Sequence, residues 1–184
     1  MQWNTIESKY LFSKPPWLII REDKLELPDG RIMPSYYVFE YPDWVSIIAI
    51  DRDGKFVMVK QYRHALGEEN YELSAGIRDP EDKDMLSTAK RELLEETGYG
   101  NGEWKLWMIT SANPGTHTNL CHCFLAVGVE KIANQSLDES EDIEVETLDR
   151  DQIRQLLENN QIRQSLHAAA LWKYIFISES VSRP

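Results

Sequence analysis

The hydrophobic and polar positions along the chain alternate first with the period of strands. Two β-rich runs, WLIIREDKLEL and RIMPSYYVFEY, fill residues 17–41 and are separated by Pro28-Asp29-Gly30, a tight-turn sequence, which predicts a hairpin. WVSIIAI (44–50) and KFVMVKQYRH (55–64) form a second pair around Asp51-Arg52-Asp53-Gly54. A polar loop is expected at Gly67-Glu68-Glu69-Asn70, then one short strand, YELSAGI, and a charged loop. The period then changes. Leu86, Ala89 and Leu93 recur at helical spacing from about Met85 to Thr97, with Asp84 placed to cap the start and Gly98 where the helix ends. EWKLWMIT and LCHCFLAVGV predict two more strands joined by the loop SANPGTH, and IEVETL (143–148) predicts another. Two closing helices are expected at about 150–159 and 165–176. Strands with three helices between or after them place the chain in the α+β class or an α/β sandwich.

Composition narrows the picture. A chain of 184 residues fits one medium-sized domain, and neither repeats nor an interdomain linker interrupt it. The balance of 20 Lys+Arg against 31 Asp+Glu, a formal charge of −11, argues against nonspecific binding to nucleic acid. A small phosphorylated substrate remains compatible with that charge if cations reverse its sign in one cleft. Cys121 and Cys123 lie two apart on one face of a strand, with His122 on the other; lacking a second ligand pair, they read as structural thiols and not as a zinc site. The N-terminus has no cationic-then-apolar signal pattern, and no apolar run approaches the roughly 20 residues that span a bilayer, so no membrane partner and a cytoplasmic location are expected.

Candidate chemistry concentrates in the first helix. At 100° per residue, Glu92, Glu95 and Glu96 span about 100° of one face, while Leu86, Ala89, Leu93 and Thr97 occupy another. Such a helix packs on a sheet and presents three carboxylates to a cleft. Oxygen-only ligands suit Mg²⁺ or Mn²⁺, which bridge phosphate oxygens. An acidic helix stripe usually faces solvent, so spacing alone does not decide between the two readings.

The run Arg91-Glu92-Leu93-Leu94-Glu95-Glu96-Thr97-Gly98-Tyr99, with Gly76 upstream, resembles the Nudix signature G-x5-E-x7-R-E-U-x-E-E-x-G-U, where U is bulky and apolar. Every fixed position from Arg91 to Gly98 agrees. The stretch from Gly76 to Arg91 is one residue too long, which puts Lys83 where a glutamate belongs; Glu81 or Asp82 is the candidate to take its place, as outer support for the helix. The resemblance implies an α/β/α sandwich around a mixed sheet. It also implies that Arg91 orients the glutamates, that Glu92 and Glu96 coordinate Mg²⁺ (or Mn²⁺) with the Ala75 carbonyl close by, and that Glu95 assists catalysis.

Outside the box, VKQYRH, YELSAG and Pro114 of SANPGTH resemble the ADP-ribose and nucleotide-sugar pyrophosphatase branch of that family. Glu139-Ser140-Glu141-Asp142-Ile143-Glu144-Val145 resembles its catalytic loop E-x-E-D-I-x-V. By that resemblance Glu141 completes the metal shell and Glu139 is the general base, while Pro114 and Gly115 contact substrate. Arg63 is the candidate for a phosphate or ribose contact, against the alternative of a surface arginine beside an acidic loop. Trp17, Tyr36, Tyr37 and Trp44 could stack an adenine or pack a core. Asn119 departs from the branch, which often carries glutamate near that place. The branch implies a β-rich N-terminal segment (1–43) that helps build a homodimer, a hydrolase domain (44–184), and one structural unit overall. The expected reaction cuts the pyrophosphate of a small nucleotide, ADP-ribose first, giving AMP and ribose 5-phosphate. GDP-mannose, NADH or another nucleotide sugar are the alternatives as substrates, with an oxidised nucleoside triphosphate ranked lowest, and a non-catalytic ligand sensor is the alternative as a class.

Overall fold

The computed structural model describes residues 2–139 and 141–181, the side chains of 179–181 excepted. Its residues cluster into two compact units, 1–43 with 111–120, and 44–110 with 121–184. The loop carrying Pro114 and Gly115 therefore folds with the N-terminal segment.

The first unit is an antiparallel sheet, β1 (Asn4–Lys14), β2 (Leu18–Glu26) and β3 (Ile32–Glu40), in that order. The predicted β2–β3 hairpin closes through Leu27 N–H to the Arg31 carbonyl at 2.9 Å. β1 lies outside any predicted element, and the reason is physical: every residue of NTIESKYLFSK is exposed, so no buried face imprints alternation on the sequence. It is held by its backbone ladder to β2 and by polar contacts such as Ser8 Oγ donating to Asp23 at 2.7 Å. Loop 111–120 pairs with the end of β3, Phe39 N–H reaching the Thr116 carbonyl at 2.8 Å and Thr118 N–H the Phe39 carbonyl at 3.1 Å.

The second unit is an eight-stranded mixed sheet. β4 (Trp44–Asp51) runs parallel to β10 (Cys121–Lys131) and antiparallel to β5 (Phe56–Arg63); β11 (Ile143–Leu148) flanks β5, and β8 (Tyr99–Gly100) and β9 (Glu103–Thr110) pair with β10. β4 and β5 are in register only at Ala49–Val57 and Ile50–Phe56 and then part. Into the fork run β6 (Glu68–Glu72), pairing with β5, and β7 (Ser74–Ile77), pairing with β4. The change of partner falls on Leu73, whose N–H leaves the sheet and donates to His167 Nδ1 at 3.3 Å. The sequence predicts a loop over residues 67–70 and one strand in YELSAGI; instead β6 begins at Glu68, and Leu73 divides the run in two. Polar residues fill that strand because they are charge-paired, Lys60 with Glu69 and Arg163 with Glu68, each at 2.8 Å.

Apolar side chains cover both faces of this sheet. Ile48, Met58, Leu73 and Leu125 pack with Ile153 and Leu171 from the closing helices α2 (Arg150–Glu158) and α3 (Ser165–Val181). Val45, Ile47, Val57 and Phe124 pack with Ala89 and Leu93 from α1 (Met85–Thr97). The result is a mixed sheet between helical layers, of the α+β class. Cys121 and Cys123 are buried in it, their thiols pushed up to about 12 and 11 by burial, as suits inert structural groups. No helix among the described residues is long and apolar enough to cross a membrane.

Candidate active site

α1 starts on a reciprocal cap, Ser87 N–H donating to the Asp84 carboxylate at 2.8 Å and Asp84 N–H to Ser87 Oγ at 2.9 Å. It ends at Gly98, in the left-handed region at φ 74°, whose N–H returns to the Leu94 carbonyl at 2.8 Å. With Ala89 and Leu93 fully buried, Glu92 and Glu96 fall on the border of the packed face and are carried under β7, 9% and 4% exposed. There the Ala75 N–H donates to Glu96 Oε2 at 3.1 Å, and the Glu92 carboxylate lies against Gly76.

Arg91 ties this end of the helix together. Its guanidinium meets Glu92 at 2.9 Å, Glu95 at 2.8 Å and the Ile77 carbonyl at 3.0 Å, and reaches across to Asp82 at 3.0 Å. Of the two residues left open for the displaced position, Asp82 is the one that arrives; Glu81 and Lys83 are exposed. The inserted turn delivers it by folding on itself, with Asp79 N–H donating to the Asp82 carboxylate and Asp82 N–H to the Asp79 carbonyl, both at 3.0 Å. The Arg91 hydrogen bond holds Asp82 below the usual carboxylate range.

Glu92 and Glu96 behave oppositely. Burial raises Glu92 to about 7, against the pull of Arg91, and the charges of Glu95 and Glu141 add to the rise. Burial raises Glu96 to about 8, against Ser74, with Glu92 and Glu141 adding to it. Glu141 is half-buried in the turn before β11, its carboxylate accepting from Asp138 N–H at 3.0 Å. Its charge bears on both Glu92 and Glu96. Glu139, in that turn, is exposed.

Among the described residues no three acidic, His or Cys side chains already form a cage for a cation. The donor set nevertheless fits a hard divalent ion: two buried carboxylates pushed toward neutrality, a third carboxylate whose charge acts on both, and oxygen ligands throughout. A cation there would favour the ionised form that burial disfavours.

Arg63, at the end of β5, makes a two-point ion pair with Glu72 of β6, and the charges of Glu96 and Glu141 bear on it. Glu72, 4% exposed, and the fully buried His167 behind it are polar groups that sequence reasoning missed. The available signal was a carboxylate at an inward strand position in YELSAG. Pro114 and Gly115 lie in the other unit, where the Tyr36 hydroxyl donates to the Gly115 carbonyl. Trp17 and Tyr37 are exposed, and Trp44 packs at a tilt on His167, 5.7 Å between ring centres.

A family model described as the NUDIX domain matches residues 40–169, and one described as the nucleoside diphosphate sugar hydrolase N-terminal domain matches residues 3–39. A Bacillus methanolicus protein named methanol dehydrogenase activator is 34% identical over 96% of this chain and 94% of its own length. An ADP-ribose pyrophosphatase of Bacillus subtilis is 31% identical over 98% of this chain and 96% of its own length. Among solved structures, one described as an ADP compounds hydrolase superposes with a TM-score of 0.84 at 18% identity, covering 100% of this chain and 98% of that one, which shows the shared fold.

Proposed function

The chain belongs to the Nudix hydrolase family, and from that premise we propose that it hydrolyses the pyrophosphate of ADP-ribose, with Mg²⁺ or Mn²⁺, to AMP and ribose 5-phosphate. The observation that carries this reading is the placement of the buried Glu92 and Glu96 under β7, with Arg91 clamping the helix. The choice of ADP-ribose is supported by the relative of that name and by the match of residues 3–39 to a nucleotide-sugar hydrolase segment.

In this mechanism Glu92, Glu96, Glu141 and the Ala75 carbonyl would hold the metal, which would supply positive charge against the pyrophosphate and acidify the attacking water. Arg91 keeps Glu92 and Glu95 in orientation through its planar fork. Arg63 draws the phosphate oxygens, and exposed Glu139 collects the proton as water attacks phosphorus. The P–O–P bridge breaks, and the leaving phosphate departs as a monoester.

We further assign a homodimer and a cytoplasmic location. The dimer is supported by the large apolar side chains that the N-terminal sheet leaves open, Tyr10, Phe12 and Leu18 among them. Light scattering should then return twice the chain mass.

The deciding assay measures Mg²⁺-dependent monophosphate release from ADP-ribose, GDP-mannose, NADH and a nucleoside triphosphate, with wild type beside Glu96→Gln. Selective cleavage of ADP-ribose, reduced at least about a hundredfold in a folded Glu96→Gln variant, is the expected result. Cleavage of another member would reassign the substrate, and binding without cleavage would make the protein a sensor.

A further inference from the structure

Arg63 and Glu72 meet at two points, Nε to Oε1 at 2.7 Å and Nη2 to Oε2 at 2.5 Å. The partners are unequally placed: the Glu72 side chain is 5% exposed, that of Arg63 45%. Burying a carboxylate is costly without a counter-charge, and His167, 4.0 Å behind Glu72, does not supply one, because burial lowers its pKa to about 4 and keeps it neutral. The charge facing Glu72 is the guanidinium. A guanidinium offers five N–H donors in a rigid plane, and Glu72 takes two of them, fixing that plane while leaving donors to spare. The charges of Glu96 and Glu141 also act on Arg63. An arginine released from Glu72 would turn toward those carboxylates and compete for the groups that hold the metal.

We propose that Glu72 is a positioning residue for the substrate site: it holds Arg63 as a preorganised cation for the pyrophosphate oxygens and keeps it off Glu96 and Glu141. This rests on the assignment of Arg63 to substrate phosphate. Glu72 touches no substrate; it acts through Arg63, so its contribution exists only while Arg63 is present.

That dependence is the test. Binding of the α,β-methylene analogue of ADP-ribose with Mg²⁺, and of inorganic pyrophosphate with Mg²⁺, is measured by calorimetry for wild type, Arg63→Ala, Glu72→Gln and the double variant, beside kcat and KM for ADP-ribose. Glu72→Gln is expected to weaken binding about tenfold and to raise KM more than it lowers kcat, with the double variant no weaker than Arg63→Ala alone. Unchanged affinity in Glu72→Gln, or a further loss when it is added to Arg63→Ala, would overturn the proposal, the second result marking a purely structural role. If Glu72→Gln fails to fold, Arg63→Lys decides: it keeps the charge but cannot make the two-point contact, so wild-type affinity in that variant overturns the proposal. Wild type that binds pyrophosphate but not the analogue overturns the ADP-ribose reading and leaves the cycle to be read on pyrophosphate; wild type that binds neither overturns both.

Discussion

A methyl group on Gly76 would stand 2.1 Å from the carboxyl carbon of Glu92. β7 and α1 approach through a missing side chain, so this glycine is required for space and not for backbone freedom. Gly76→Ala must push the Glu92 carboxylate away, which the flexible end of a side chain can do without unfolding the helix. Turnover is expected to fall about a hundredfold, since displacement of a catalytic group by about 1 Å costs that much, with a melting temperature close to wild type. Mg²⁺-dependent turnover at normal strength in Gly76→Ala would show that Glu92 is not needed where it lies.

Asp82 and Lys83 should respond very differently to alanine. Asp82 receives hydrogen bonds from Arg91 and Asp79 N–H, whereas Lys83 is exposed. Asp82→Ala should cost on the order of 1 to 3 kcal/mol and lower kcat through a loosened Arg91; Lys83→Ala should stay within about 0.5 kcal/mol of wild type. Denaturant titration and kcat for both variants check this, and equal effects would remove Asp82 from its supporting position.

The raised glutamates make the benefit of metal depend on pH. With folded values of about 7 and 8 against an ordinary 4.5, Glu92 and Glu96 hold more protons in the folded than in the unfolded chain across that interval. Their contribution to stability therefore falls as pH rises from about 4.5 to about 8. A divalent cation favours the ionised pair, so the rise in melting temperature on adding Mg²⁺ should be slight near pH 5.5 and large near pH 8.5. A rise that is the same at every pH would argue against these two residues as ligands.

His167 works in the opposite sense. Burial lowers it to about 4 from 6.5, with Glu72 opposing, so between those values the unfolded chain holds the additional proton. Its contribution is complete above about pH 6.5 and lost as pH falls toward 4, on the order of 3 kcal/mol in all. His167→Gln leaves an acceptor within reach of Leu73 N–H but removes the titration. The stability difference between wild type and this variant should therefore shrink on acidification, which denaturant midpoints at a series of pH values would measure. A constant difference would contradict the assignment.

What could be read in the sequence was what the hydrophobic period records. Ile143–Leu148 and Met85–Thr97 stand where the pattern put them, because each turns apolar residues into the core, and Asp84 closes the start of α1 by its side chain and Gly98 the end by its left-handed backbone. β1 was invisible because the sheet gives it no buried face, and the start of β6 looked like a loop because its glutamates are paired across to Lys60 and Arg163, a relation between residues far apart in the chain. The box glutamates were legible as a motif at fixed spacing. Glu72 and His167 were not, since a lone inward carboxylate and a lone histidine show their partners only once β6 and α3 are packed.

The handover at Leu73 also sets where the chain can change length. Between Glu68 and Ile77 the chain is held in register at both ends, Glu68–Glu72 against β5 and Ser74–Ile77 against β4, so adding or removing one residue would turn Glu72 away from Arg63 or Ala75 away from Glu96. The turn at residues 78–84 has no such double indexing, and it has absorbed one additional residue by letting a different carboxylate reach Arg91. Insertions and deletions among relatives should accordingly gather in that turn and spare the ten residues before it.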